Sequence, residues 1–292
     1  MPPPSTRFQA IGTHWVLDTD RALDADDLAA VHDRIARFDL DWSRFRRDSW
    51  VRLVAEAGAG TYELPPDAGP LLAAYDTADR CTGGAVSPLV GHTLESLGYD
   101  PDYRLRPHRE PDGAVTTLPA PVWSEVSRSG GRISLPTAAL IDVGAAGKGY
   151  LVDLISALLT ERGLTGHVVD AGGDIRVQGS TLRVALEDPA DPTRALGVLR
   201  VTDGAIAGSA PNRRAWGPGL HHVVDARTGR PTDGVLAAWA VAPDALTADI
   251  AATALFFAEP DLVAARFGIR YVVLDAERRL RWSLDLDGEV FA

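Results

Sequence analysis

Residues 141–150 read Ile-Asp-Val-Gly-Ala-Ala-Gly-Lys-Gly-Tyr, and these residue types at this spacing suit one task, the holding of an anion. Glycine admits positive φ and leaves room for a ligand to approach the backbone, and the first amides of a helix carry partial positive charge. Asp142 and Lys148 add an acceptor and a cation. Two familiar phosphate loops do not fit. A P-loop needs four residues between its first glycine and the Gly-Lys pair, then a Ser or Thr. Here only Ala145 and Ala146 separate Gly144 from Gly147, and Gly149 stands at the hydroxyl position. The GxGxxG spacing of dinucleotide folds is missing as well. On residue types alone, a glycine-rich turn with a solvated lysine stays open as the alternative.

A second constellation is Asp249 with Thr253. Residues 244–257 are otherwise mostly Ala, Ile, Leu and Phe, a helix that must bury a face. A carboxylate there is costly to bury unless paired, and the nearest basic residue in sequence, Arg266, lies beyond the helix. A cation would resolve that cost, and Thr253, four residues on and on the same face, offers a neutral oxygen. The competing reading is that Asp249 caps the helix start with Thr247. The pair His221-His222 invites a zinc reading, but neighbours on a strand point to opposite faces and no third ligand follows at suitable spacing.

Elements must position these groups. Residues 8–18 alternate as a strand, and residues 24–38 form an amphipathic helix with Leu28, Val31, Ile35 and Phe38 on one stripe. A basic cluster follows at residues 42–49, ordinarily a solvated face. A helix over residues 67–80 leads into a turn at residues 81–90. Residues 101–121, rich in proline, arginine and acids without periodicity, read as a surface loop. Short strands at 132–135 and 139–141 run into the glycine turn, and Lys148 opens a helix that stops at Gly163. The strand 167–170 turns tightly at Ala171-Gly172-Gly173-Asp174, a hairpin that needs glycine conformations and is left outside the site. Strands at 181–186, 197–201 and 236–241, and a closing hairpin at 271–274 and 280–284, complete an α+β fold: mixed, largely antiparallel sheets with packed helices, in two intimately joined subdomains of one domain over residues 1–292.

Composition excludes some classes. With 292 residues there is ample chain for a core, and a net charge of −11 argues against nucleic acid or an anionic membrane as the main partner. The single cysteine, Cys81, permits no intrachain disulfide and no multi-cysteine metal site. The stretch at residues 1–8 has no basic start, apolar run or cleavage site, and no run is long enough to span a bilayer, so the expectation is a protein without membrane insertion that is cytoplasmic or else trimmed of a leader.

The glycine turn with its continuation resembles the signature of the flavin transferase family, the ApbE proteins, close to Asp-Leu-Gly-Gly-Ile-Ala-Lys-Gly-Tyr-Ala-Val-Asp. Asp142, Gly144, Lys148, Gly149, Tyr150 and Asp153 match position by position. The likeness recurs at Ile11-Gly12-Thr13, at residues 43–49, in part at residues 81–90, where Ser87 replaces the usual aspartate, at residues 221–229, where His221 stands for the usual serine and Ala226 for the usual proline while His222 matches, and at Asp249 and Thr253. It implies a magnesium-dependent FAD:protein FMN transferase that cleaves the pyrophosphate of FAD, joins FMN to a threonine or serine of an acceptor protein and releases AMP. Phosphoryl transfer of this kind chiefly needs positioning and neutralisation of phosphate charge. By the resemblance Asp249, Thr253 and the carbonyl of Ala145 would hold Mg2+, Asp142 and Lys148 the nucleotide, and Ile11, Phe45, Val224 and, in part, Ala85, Val86 and Ser87 the flavin pocket. His222 would handle the acceptor proton, or else be the partner of Asp225. An FAD pyrophosphatase and a flavin-binding protein without turnover share the same residues.

Overall fold

The computed structural model describes residues 3–291; Met1 and Pro2, part of the amino-terminal stretch read above, lie outside them. Its centre is an eight-stranded sheet in the order Ser5–Ala10, Thr13–Thr19, His167–Ala171, Asp174–Gln178, Ala205–Ser209, Val235–Ala242, Arg270–Asp275 and Leu280–Trp282. Each neighbouring pair is antiparallel. Strand side chains alternate between faces, and both faces are covered. Along Val235–Ala242, Ala238, Ala240 and Ala242 join the main core under the helices. Trp239 and Val241 join a second core with Leu186, Leu199 and Val201. Those three belong to a small sheet of Thr181–Asp188, Asp191–Thr202 and Gly288–Val290. Covering on both sides explains why the strand reads as an almost unbroken apolar run.

The helical layer holds α1 (Ala25–Trp42), α2 (Trp50–Ala57), α3 (Ala68–Thr82), α4 (Gly91–Ser96), α5 (Gly147–Glu161), α6 (Ala245–Ala254) and α7 (Pro260–Phe267). α1 starts at a capping box between Asp24 and Asp27 and buries Val31, Ile35, Phe38 and Trp42, so the stripe runs one turn further than its pattern predicts. α6 is buried nearly all round, as its composition requires. Its first turn is capped twice. The Asp244 carboxylate accepts from Thr247 N, and Asp153 on α5 accepts from Ala245 N and Leu246 N at 2.9 and 2.8 Å. The cap belongs to Asp244, which removes that role from Asp249.

Three expectations are corrected. Residues 8–18 are two strands of a hairpin, broken where Ile11 and Gly12 take φ of 44° and 73°. Alternation continues on both arms, so the period alone does not mark the turn. Residues 139–141 form no strand, although Ala139, Leu140 and Ile141 are buried; they pass under Gly91, whose amide donates to Leu140 O. The α6 helix ends at Ala254, short of Phe257. Residues 101–121 contain no helix or named strand, only an isolated bridge between Arg109 and Val115. Among the described residues no helix is long and apolar enough to cross a membrane.

Candidate functional site

A cavity of about 510 Å³ opens where the hairpin tip at Ile11, the end of α1, the glycine turn, α6 and the segment around His222 converge. That size suits a small-molecule ligand. It collects every site residue expected from the sequence. Asp142, Ala145 and Lys148 enter from the glycine turn, Asp249 and Thr253 from α6, and His222 and Val224 from the segment after Leu220–His221. Ile11, Phe45, Ala85, Val86 and Ser87 complete the wall.

The glycine turn folds as its residues dictate. The Asp142 carboxylate accepts from Gly144 N at 2.7 Å, and a Cβ on Gly144 would fall 2.8 Å from that same oxygen, so glycine is needed for the turn to close. The hydroxyl of Tyr75 donates to Asp142 O and accepts from Ala145 N, at 3.4 and 3.3 Å, pinning the turn from below. α5 begins at Gly147, one residue before Lys148. Gly149 lets α5 meet α6: a Cβ there would lie 2.2 Å from Ala245 O and 2.6 Å from Asp249 Cβ. Its amide instead donates to the Asp249 carboxylate at 2.9 Å. Asp249, 6% exposed, thus rests on the amino-terminal turn of α5, where the helix dipole favours negative charge.

The burial of Asp249 is balanced differently from the sequence expectation. Its basic neighbour comes from α5, by way of a second carboxylate. Lys148 Nζ forms an ion pair with Asp174, which is wholly buried and close enough to Asp249 to couple with it. Burial pushes the Asp174 carboxyl far above the usual carboxylate range, Asp249 pushes it further, and Lys148 opposes both. Neither Asp174 oxygen has a directed hydrogen bond. The Gly-Gly-Asp turn, set aside from sequence as a hairpin, is one: Gly172 and Gly173 have φ of 62° and 101°. It also delivers Asp174, because Ile175 and Val177 face the small sheet and alternation then turns Asp174 toward the helices.

This donor set suits a hard divalent cation. Asp249, Thr253 and Ala145 share the cavity, and Ser209 Oγ lies 3.5 Å from Thr253 Oγ1, so a carboxylate, hydroxyls and a carbonyl are at hand. Asp174 and Asp249 oppose each other's ionisation beside a single ammonium, a conflict that a cation would relieve. Among the described residues no group of three or more His, Cys, Asp or Glu could hold a metal, so water and ligand oxygens would have to complete the shell, as magnesium permits.

The two histidines have separate environments. His221 is structural: its Nε2 hydrogen-bonds Thr232 O at 2.7 Å and its Nδ1 accepts from Val223 N at 3.3 Å. His222 lies off the strand and borders the cavity, with Nδ1 buried and unpartnered. Burial, seconded by the positive charge of Arg214, depresses it to about 4, so the ring is neutral near pH 7. The alternative pairing with Asp225 does not occur; that carboxylate takes Arg227 at 2.7 Å. The backbone groups of Ala85 and Val86 are also partly spent. Ala85 O accepts from Ala226 N, and Val86 N donates to the Thr82 hydroxyl, so these two residues offer the cavity mainly apolar surface.

Sequence reading missed Arg44 as well as Asp174. Taken with its neighbours as a solvated basic cluster, Arg44 is 2% exposed and its Nε donates to Asp142. The one available signal was its place inside the motif at residues 43–49, next to Phe45. Phe45 lines the cavity and is itself stacked on Tyr103 at a centroid distance of 5.3 Å.

The sequence model of the ApbE family matches residues 11–269. The FAD:protein FMN transferase of Rhodobacter capsulatus is 29% identical over 310 residues, covering 100% of this chain and 57% of that protein. The one of Salmonella typhimurium is 27% identical over 184 residues, covering 58% of this chain and 52% of that protein. The chain thus spans about half the length of these curated relatives. Among solved structures, the flavin transferase ApbE from Vibrio cholerae superposes with a TM-score of 0.81 at 20% identity over 98% of both chains. The ApbE protein from Thermotoga maritima gives 0.82 at 24% identity over 97% of both. At these identities the structural likeness is one of fold.

Proposed function

The chain belongs to the ApbE family, and on that premise we propose that it is an FAD:protein FMN transferase. The acceptor is the hydroxyl of a threonine or serine on another protein. Its oxygen attacks the phosphorus on the FMN side of the FAD pyrophosphate, a new P–O bond forms, the bond to the AMP phosphate breaks, and AMP leaves. The observation that carries this reading is the meeting, in one cavity, of Lys148, the Asp249 and Thr253 oxygens, and a neutral histidine.

Each residue has a distinct task. Lys148, at the first turn of α5, brings positive charge and helix amides to the phosphates. Asp174 holds the Lys148 ammonium beside Asp249 and so acts through it. Asp249, Thr253 and the carbonyl of Ala145 would hold Mg2+, which when bound supplies neutralisation of charge on the pyrophosphate oxygens. His222, neutral at the cavity wall, takes the acceptor hydroxyl's proton as the oxygen attacks. Asp142, Ile11, Phe45 and Val224 position the nucleotide, and the partly matching Ala85, Val86 and Ser87 line the pocket behind it.

The test is incubation with FAD, Mg2+ and a candidate acceptor protein, read by intact mass. Transfer adds FMN less one water to the acceptor and liberates AMP. AMP and free FMN with an unmodified acceptor, across a panel of acceptors, would instead establish a pyrophosphatase.

A further inference from the structure

Arg44 ties three walls of the cavity together. Its Nε donates to the Asp142 carboxylate, its Nη1 donates to Tyr99 O at 2.7 Å, and its guanidinium carbon lies 4.2 and 4.7 Å from the ring centres of Phe45 and Tyr99. The remaining nitrogen, Nη2, is buried and has no hydrogen-bond partner. An unpaired guanidinium N–H inside a protein is rare, because it has given up water for nothing. Arg44 and Asp142 both border the cavity.

The charge arithmetic separates this corner from the phosphate end. Lys148 sits among two carboxylates in a region suited to a cation and phosphates, whereas Arg44 and Asp142 cancel each other one for one. A neutralised pair has little pull on an anion. It does present a donor beside an acceptor, with aromatic rings at hand. Such an arrangement reads the edge of an uncharged heterocycle that carries an N–H next to an acceptor atom.

We propose that Arg44, together with Asp142, is a recognition residue for a heteroaromatic edge of the bound nucleotide, with Arg44 Nη2 donating to an acceptor atom of that edge and Asp142 accepting from its N–H. The proposal rests on the FAD reading above. In FAD two edges have this chemistry, the imide edge of the flavin and the amino edge of the adenine, and the two halves of the molecule can be offered separately.

The experiment measures binding of FAD, FMN and AMP by calorimetry to the wild type, Arg44→Lys and Arg44→Gln, with thermal midpoints for each protein. Lysine keeps the charge against Asp142 but not the planar fork. The expected result is that Arg44→Lys stays folded and loses roughly ten- to a hundredfold in affinity for FAD and for one half only. Loss confined to FMN assigns the flavin edge, and loss confined to AMP the adenine edge. Arg44→Lys binding all three ligands like wild type, or weakening FMN and AMP equally, overturns the proposal and leaves Arg44 a scaffold residue. A wild type that binds none of the three sinks the transferase reading itself. If both variants fail to fold, guanidinium NMR of the wild type decides: an Arg44 Nη signal that moves with one half supports the assignment, and one that moves with neither refutes it.

Discussion

Replacing His222 by glutamine tests the electrostatics of the cavity wall directly. Burial holds the imidazole at about 4 instead of 6.5, which corresponds to about 3 kcal/mol between its two protonation states. The sign follows from proton counting. Between pH 4 and 6.5 the unfolded chain binds the proton and the folded chain does not, so stability rises with pH across that window. The contribution is complete above about pH 6.5 and drains away as the pH falls toward 4. At pH 4.5 the wild type should have lost about 2.5 kcal/mol relative to pH 7 through this one group, and His222→Gln none. Urea denaturation of both proteins at the two pH values isolates the difference, since every other titrating group is common to them. The same depression bears on catalysis: the acid limb of kcat/KM due to His222 should fall near pH 4, and should disappear in the variant. A stability difference under about 0.5 kcal/mol, or a His222-dependent limb between pH 6 and 7, would refute a buried neutral histidine.

Lys148→Ala should abolish or severely slow transfer and, contrary to what an exposed lysine would do, should also lower stability by roughly 1–3 kcal/mol, because it strips the buried Asp174 of its counter-charge. Adding Asp174→Asn should restore the stability in chemical denaturation without restoring transfer; a double variant no more stable than Lys148→Ala would show that Asp174 does not depend on the lysine. Gly149→Ala should cost about 1–3 kcal/mol or more, since its methyl would fall 2.2 Å from Ala245 O and must part α5 from α6; a thermal midpoint like that of the wild type would contradict this packing. Asp249→Ala should remain folded by circular dichroism and lose magnesium-dependent FAD cleavage, and retention of that cleavage would remove Asp249 from the metal site.

What the chain states locally, it states clearly. Asp249 and Thr253 are four apart on a helix, the glycines of residues 144–149 are adjacent in sequence, and helix geometry or turn sterics converts such spacing into position without outside help. The same holds for α1, whose apolar stripe is its own record of a buried face. The tertiary structure alone decided which charges neutralise which. Arg44 and Asp142 are 98 residues apart, and Asp174 reaches Lys148 on the helical layer from a hairpin that looks ordinary. In sequence Arg44 is one arginine among several, and Asp249 has no near base. Only in the fold does Arg44 become a buried partner of Asp142, and Asp249 acquire an amide from Gly149 and a lysine held by a second aspartate. The physical reason is that a buried charge is stabilised by whatever group lies within a few ångströms, and the packing of helix against sheet sets that distance without regard to separation along the chain.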